Sequence, residues 1–176
     1  LLGILPMAAP TSAYAMPAPE MLPAVPAAPN ACPASTTGLP GNVSVEQVLV
    51  ARIRDGRPFA VLYIDADHFK RINDDVGHMA GDLVLSELGA IFKRLLRTVD
   101  SAGRYGGEEF AVLLEQVPAE HLDGVLERFR QAVVEFPWPQ QCQVTVSIGA
   151  SQIEAGTAVS DLIEQADRAL YYAKEN

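Results

Sequence analysis

Two short acidic stretches hold the side chains best suited to chemistry in this sequence. One is Asp65-Ala66-Asp67-His68-Phe69-Lys70, and the other is Arg104-Tyr105-Gly106-Gly107-Glu108-Glu109-Phe110. Carboxylates are hard oxygen donors that favour magnesium, and a cation held this way neutralises phosphate charge during transfer at phosphorus. Two Asp at i and i+2 on an extended chain point to opposite faces, so Asp65 and Asp67 should not chelate one ion together. One is expected to be a ligand and the other structural. In the second stretch two glycines are expected to let a hairpin turn take positive φ and a ligand approach bare backbone. Glu108 and Glu109 follow at once, and such close like charges repel. Two readings stand for this turn: acids neutralised by a bound cation, or an acidic surface hairpin.

These groups need rigid elements to hold them. Phe59 to Ile64 is a continuous apolar run of the kind buried on both faces, so Asp65 starts where a strand ends. Ligand sites favour that place because the emerging chain is still held by the sheet. Val43 to Arg54 reads as a short helix, and Leu83, Val84, Leu88, Ile91, Phe92 and Leu95 recur at helical spacing, giving an amphipathic helix over 81–97. Ala102 to Tyr105 and Glu109 to Leu114 flank the glycine pair as hairpin strands. Ala119 to Glu135 reads as a helix and Val144 to Ala150 as a strand, with Ser160 expected to cap a last helix running to the chain end. Helices and strands mixed around a central hairpin indicate an α/β sandwich, a sheet covered by helices.

Composition narrows the functions. A formal charge of -9 argues against a nucleic-acid partner, which would need clustered Lys and Arg. An acidic protein that handles phosphates is expected to do so through metal ions. Cys32 and Cys142 are far apart and form neither a disulfide framework nor a metal-ligand spacing, which fits a reducing compartment. Nine of the 13 prolines precede residue 42, and Glu20 is the only charged side chain before it. Residues 1–36 are therefore expected to be a Pro/Ala-rich linker or the remnant of an upstream segment, mostly disordered, with the domain over 37–176. Leu1 to Leu5 and Ala13-Tyr14-Ala15 faintly resemble a signal peptide, but a basic region and an initiator Met are lacking. No run reaches the roughly 20 apolar residues of a spanning helix. An upstream sensor or membrane segment is expected to be missing from this chain. The domain is expected in the cytoplasm, with a tether to the inner membrane through that segment left open.

Gly106-Gly107-Glu108-Glu109-Phe110 resembles the signature of GGDEF domains, in the variant with Glu at the third place, and Arg104-Tyr105 fits beside it. Asp65 to Lys70 continues through Ile72-Asn73-Asp74, Gly77-His78 and Gly81-Asp82 like the family's long acidic block. Val144 to Gly149 and Ala166 to Lys174 are similar to its later strand and last helix. The likeness runs from Thr37 onward, in several spaced blocks in the family's order. It implies a central antiparallel-rich sheet with flanking helices, like the polymerase palm and nucleotide cyclases. It also implies a diguanylate cyclase, which condenses two GTP into cyclic di-GMP. By the same resemblance Asp65, the Ala66 carbonyl and Glu108 hold magnesium, or manganese in its place, and Glu108 or Glu109 assists deprotonation of the ribose 3′-hydroxyl. Asn73 and Asp82 match guanine readers; Lys70, Lys174 and backbone amides near Phe69 match triphosphate contacts. Arg97-Thr98-Val99-Asp100 matches an inhibitory site for the cyclic product, and a two-fold homodimer is the implied catalyst.

The family usually opens with Asp-x-Leu-Thr-Gly-Leu-x-Asn-Arg, but here Ala34 to Asn42 lacks the leading Asp and the final Arg. The chain also stops at Asn176, before a Gly-Arg-Asn segment that often follows, so a C-terminally truncated domain is expected. The alternatives are a non-catalytic module that binds GTP or cyclic di-GMP as a regulatory receptor, and a purine cyclase of other specificity.

Overall fold

The strand Phe59–Ala66 (β1) is buried along its whole length, which its near-continuous apolar sequence requires. In the computed structural model, which describes residues 37–56, 58–139, 142–152 and 159–175, β1 lies inside a four-stranded sheet. The stretch 1–36, with Cys32, lies outside the described residues. The strand Glu109–Glu115 (β3) pairs antiparallel along one side of β1, and Val146–Gln152 (β4) along the other. Ser101–Arg104 (β2) pairs with β3, so the order is β2-β3-β1-β4.

Alternation along β1 divides the core between the two faces of the sheet. Ala60, Leu62 and Ile64 pack with Leu88, Phe92 and Phe129 on the helices His78–Leu95 (α3) and Ala119–Val134 (α4). Phe59, Val61 and Tyr63 face the other way, against Leu49 of Asn42–Asp55 (α1) and Leu170 of Val159–Glu175 (α5). The expected architecture therefore holds: an α/β fold with an antiparallel sheet flanked by helices. The same alternation turns Asp65 toward the α5 face. Among the described residues no helix is long and apolar enough to cross a membrane.

Several local expectations are corrected. The helix Phe69–Val76 (α2) was not foreseen, because eight residues give too few repeats of the helical period to stand out beside the acidic block. Helix α3 begins at His78 rather than Gly81, since its first turn follows directly on Gly77, whose φ of 101° breaks the chain direction. Strand β4 starts at Val146, two residues late, because the Thr145 carbonyl accepts from the Asp67 amide instead of joining the ladder. Helix α5 already includes Val159, so Ser160 lies inside it and is not its cap.

The glycine pair also differs from expectation: positive φ occurs at Gly38, Gly56 and Gly77 among the glycines, and not at Gly106 or Gly107. Residues 105–108 separate β2 from β3, a loop long enough to reverse without left-handed residues. Arg104 closes it, donating from Nε to the carbonyls of Gly106 (3.2 Å) and Gly107 (3.0 Å).

Candidate active site and the Arg97 cavity

The register of the sheet gathers the acids at one end. Asp65, 5% exposed, is paired with Glu109 on β3 and with Ser147 on β4. The Ala66 amide donates to the Glu108 carbonyl at 3.2 Å, which ties the end of β1 to the hairpin. From the last turn of α5, Lys174 reaches back and places Nζ 2.9 Å from Asp65 Oδ2. Burial pushes the Glu108 carboxyl above its ordinary value; the charges of Asp65 and Glu109 push it further, and Lys174 opposes them. Glu108 and Asp65 are thus mutually repelling carboxylates that share one compensating ammonium.

This donor set fits a hard divalent cation: two carboxylates with a main-chain carbonyl beside them. Among the described residues no group of three or more His, Cys, Asp or Glu side chains could hold a metal ion. Asp65 and Glu108 are the carboxylates at this strand end that could hold a cation.

Asp67 has a different task. Thr145 Oγ1 and Ser147 Oγ each donate to its carboxylate at 2.7 Å, and its amide donates to the Thr145 carbonyl at 3.0 Å. These bonds fasten the turn after β1 to the start of β4. His68 follows in the left-handed region (φ 54°), and α2 begins at Phe69 with its first amides pointing out of the helix. Phe69 is buried and Lys70 is exposed there. Asn73 on α2 is half-buried and Asp82 on α3 is exposed, in an α2–α3 pair joined at Gly77.

Gly106 matters through its missing side chain. A Cβ there would lie 2.1 Å from Glu109 Oε2, so the bare backbone is what lets this carboxylate fold against the turn. Gly106→Ala is expected to leave the fold intact, because a flexible side chain can swing aside, and to displace Glu109. A loss of turnover on the order of tenfold to a hundredfold is expected from such a misplacement, read from initial rates with circular dichroism as the folding control.

Arg97 and Asp100 lie in a second place. The Asp100 side chain, 2% exposed, accepts from Arg97 Nε, Arg97 Nη2 and the Arg97 amide, each at 2.9 Å, and from the Glu115 amide at 3.1 Å. Arg97 Nη2 also donates to the Glu115 carbonyl at 2.6 Å. The pair borders a cavity of about 200 Å³ whose lining includes His121 and Arg128. Arg128 was not foreseen, because α4 looks like an ordinary amphipathic helix and nothing local distinguishes this one Arg. It donates from Nη2 to the Leu95 carbonyl at 3.3 Å, while its buried Nε has no hydrogen-bond partner among the described residues. The cavity meets β3 at Leu114 and the acidic site meets it at Glu109. A strand rise of about 3.4 Å per residue separates them by roughly 17 Å.

The model of the family described as diguanylate cyclase, GGDEF domain, matches residues 35–176. The chain is 41% identical over 145 residues to diguanylate cyclase DgcP of Pseudomonas aeruginosa, covering 78% of this chain and 22% of that protein. It thus spans about a fifth of that relative's length. Among solved structures it is similar to diguanylate cyclase SiaD of Pseudomonas aeruginosa, described in complex with its activator SiaC, with a TM-score of 0.76 and 34% identity over 82% of this chain and 58% of that one. It is also similar to the GGDEF domain of DgcB from Caulobacter crescentus, described in complex with c-di-GMP, with a TM-score of 0.75 and 27% identity over 84% of this chain and 94% of that one. With its acids at the strand end and a family match over most of its length, the chain belongs to the GGDEF domain family.

Proposed function

We propose that this domain is a diguanylate cyclase that condenses two GTP into cyclic di-GMP and two pyrophosphates. The observation that carries this reading is the convergence of Asp65, Glu108 and Lys174 at the end of β1, where burial and the charge of Asp65 raise the cost of charging Glu108 and one ammonium offsets it. Asp65, Glu108 and the Ala66 carbonyl would hold magnesium or manganese, which when bound neutralises charge on the α-phosphate.

The chain's own groups do the rest. Lys174 leaves Asp65 for the triphosphate, joined by Lys70 and the first amides of α2 at Phe69. Asp82 accepts from guanine N1 and N2, and the Asn73 amide pairs with O6 or N3. Glu108 or Glu109 takes the proton from a ribose 3′-hydroxyl. The 3′-oxygen attacks the α-phosphorus of the second GTP, and the bond to pyrophosphate breaks. The step occurs twice, so two loaded copies facing each other across a two-fold axis form the catalyst. The initial rate should therefore rise with the square of protein concentration in dilute solution. GTP binding without turnover at any concentration would replace this reading with that of a nucleotide receptor.

Cyclic di-GMP bound at the Arg97 cavity would inhibit from outside the GTP site. Asp100 is already fully bonded, so it can read guanine only if Arg97 releases it and turns to the product's base or phosphate. Arg97→Lys keeps the charge and loses the fork, and Arg128→Ala removes a second cation from the cavity. Each is expected to weaken noncompetitive inhibition by added cyclic di-GMP about tenfold with the uninhibited rate retained, from one charge-assisted hydrogen bond. Equal inhibition in wild type and both variants would remove the regulatory role.

A further inference from the structure

We infer that Gly81 is a positioning residue for base selection, because its missing side chain is the notch in which the Asn73 amide sits. The inference rests on the nucleotide reading above and deepens it. A Cβ built at Gly81 would lie 2.0 Å from Asn73 Oδ1, 2.9 Å from Asn73 Cγ and 3.1 Å from Phe69 Cζ. The first distance is far inside any carbon–oxygen contact, so the amide oxygen occupies the space that an alanine methyl would take. Phe69, buried below, leaves little room for the amide to retreat inward.

Gly81 is buried four residues into α3, where glycine is a poor choice for helix stability. Its φ is not positive, so the backbone there does not demand glycine. What demands it is the neighbouring helix. The notch fixes the Asn73 head relative to Asp82, the next residue on α3, and these are the two groups proposed to read the base. An alanine at 81 would turn the Asn73 amide out while leaving Asp65, Glu108 and Lys174 untouched. Helix propensity and base reading therefore respond to the same substitution in opposite directions, and a merely structural glycine would not behave so.

The test is displacement of a fluorescent mant-GTP probe by GTP and by ATP, each with magnesium, on wild type, Gly81→Ala, Asn73→Ala and the double variant, with thermal melts alongside. Gly81→Ala is expected to melt at the wild-type temperature or above it and to lose about tenfold or more of the GTP-over-ATP preference. Gly81→Ala in the Asn73→Ala background should change the preference no further, since the group it displaces is already gone. An unchanged preference in Gly81→Ala, or a further tenfold loss in the double variant, would overturn the inference while the base reading stood. A wild-type protein with no preference for GTP would overturn both.

Discussion

Asp65→Asn and Glu108→Gln are each expected to lower cyclic di-GMP formation by about 10²- to 10³-fold, the scale seen when one preorganised electrostatic group is removed from an active site. The fold should survive. Both residues sit at the end of β1 and its hairpin, whereas the core lies along the strands toward Phe92 and Phe129 on one face and Leu49 and Leu170 on the other. The two variants should differ in stability. In Asp65→Asn, Lys174 loses a charged partner held at 2.9 Å. Glu108→Gln instead removes a carboxylate whose charge is disfavoured by burial and by Asp65. Because that carboxyl is raised in the folded state, folding binds its proton more tightly than the unfolded chain does. The penalty of keeping Glu108 charged is therefore present above the raised value and lost as pH falls through it. Without divalent cation, Glu108→Gln should melt at or above the wild-type temperature at neutral pH, and the gap should close on acidification. A lower melting temperature for Glu108→Gln at neutral pH, or cyclase rates near wild type in either variant, would contradict this assignment of the acids.

Gly149→Ala should have the largest effect on stability. A Cβ there would lie 2.2 Å from the Leu170 amide nitrogen, 2.4 Å from the Ala166 carbonyl oxygen and 2.7 Å from Leu170 Cα. All three are main-chain atoms of α5 and cannot rotate away, so the helix must lift from β4 or the variant must unfold. Overpacking of this kind costs about 1–3 kcal/mol, and backbone contact places it at the upper end. For a domain of this size each kcal/mol moves the melting temperature by roughly 2–4 °C, so a fall of about 5–10 °C is expected. Helix α5 also carries Lys174 to Asp65, so GTP affinity should fall with stability. An unchanged melting temperature would mean that α5 does not rest on β4 through this glycine.

Residues whose meaning is local were the legible ones. The apolar run at Phe59 to Ile64 announced a strand buried on both faces, and alternation along it already separated Asp65 from Asp67. The structure gives that separation partners: Lys174 for Asp65, and Thr145 with Ser147 for Asp67. The acids at 108 and 109 were visible beside their glycines, but the physical reason for glycine was not. Gly106 makes room for Glu109 and takes no left-handed conformation. Gly149 owes its importance to Leu170, 21 positions away, and Gly81 to Asn73 across the break between two helices, a contact that neither helix's own period reveals. Arg128 joins Arg97 only when α4 folds over the end of α3, and helix α2 is too short for its period to register.

The most direct measurement is the product that the domain makes from GTP and magnesium at high protein concentration, separated by chromatography with pyrophosphate counted in the same reaction. Two facing sites should yield cyclic di-GMP with two pyrophosphates released for each, and no reaction with ATP. Bound GTP without any dinucleotide, or a cyclic mononucleotide with one pyrophosphate for each, would contradict the proposed activity.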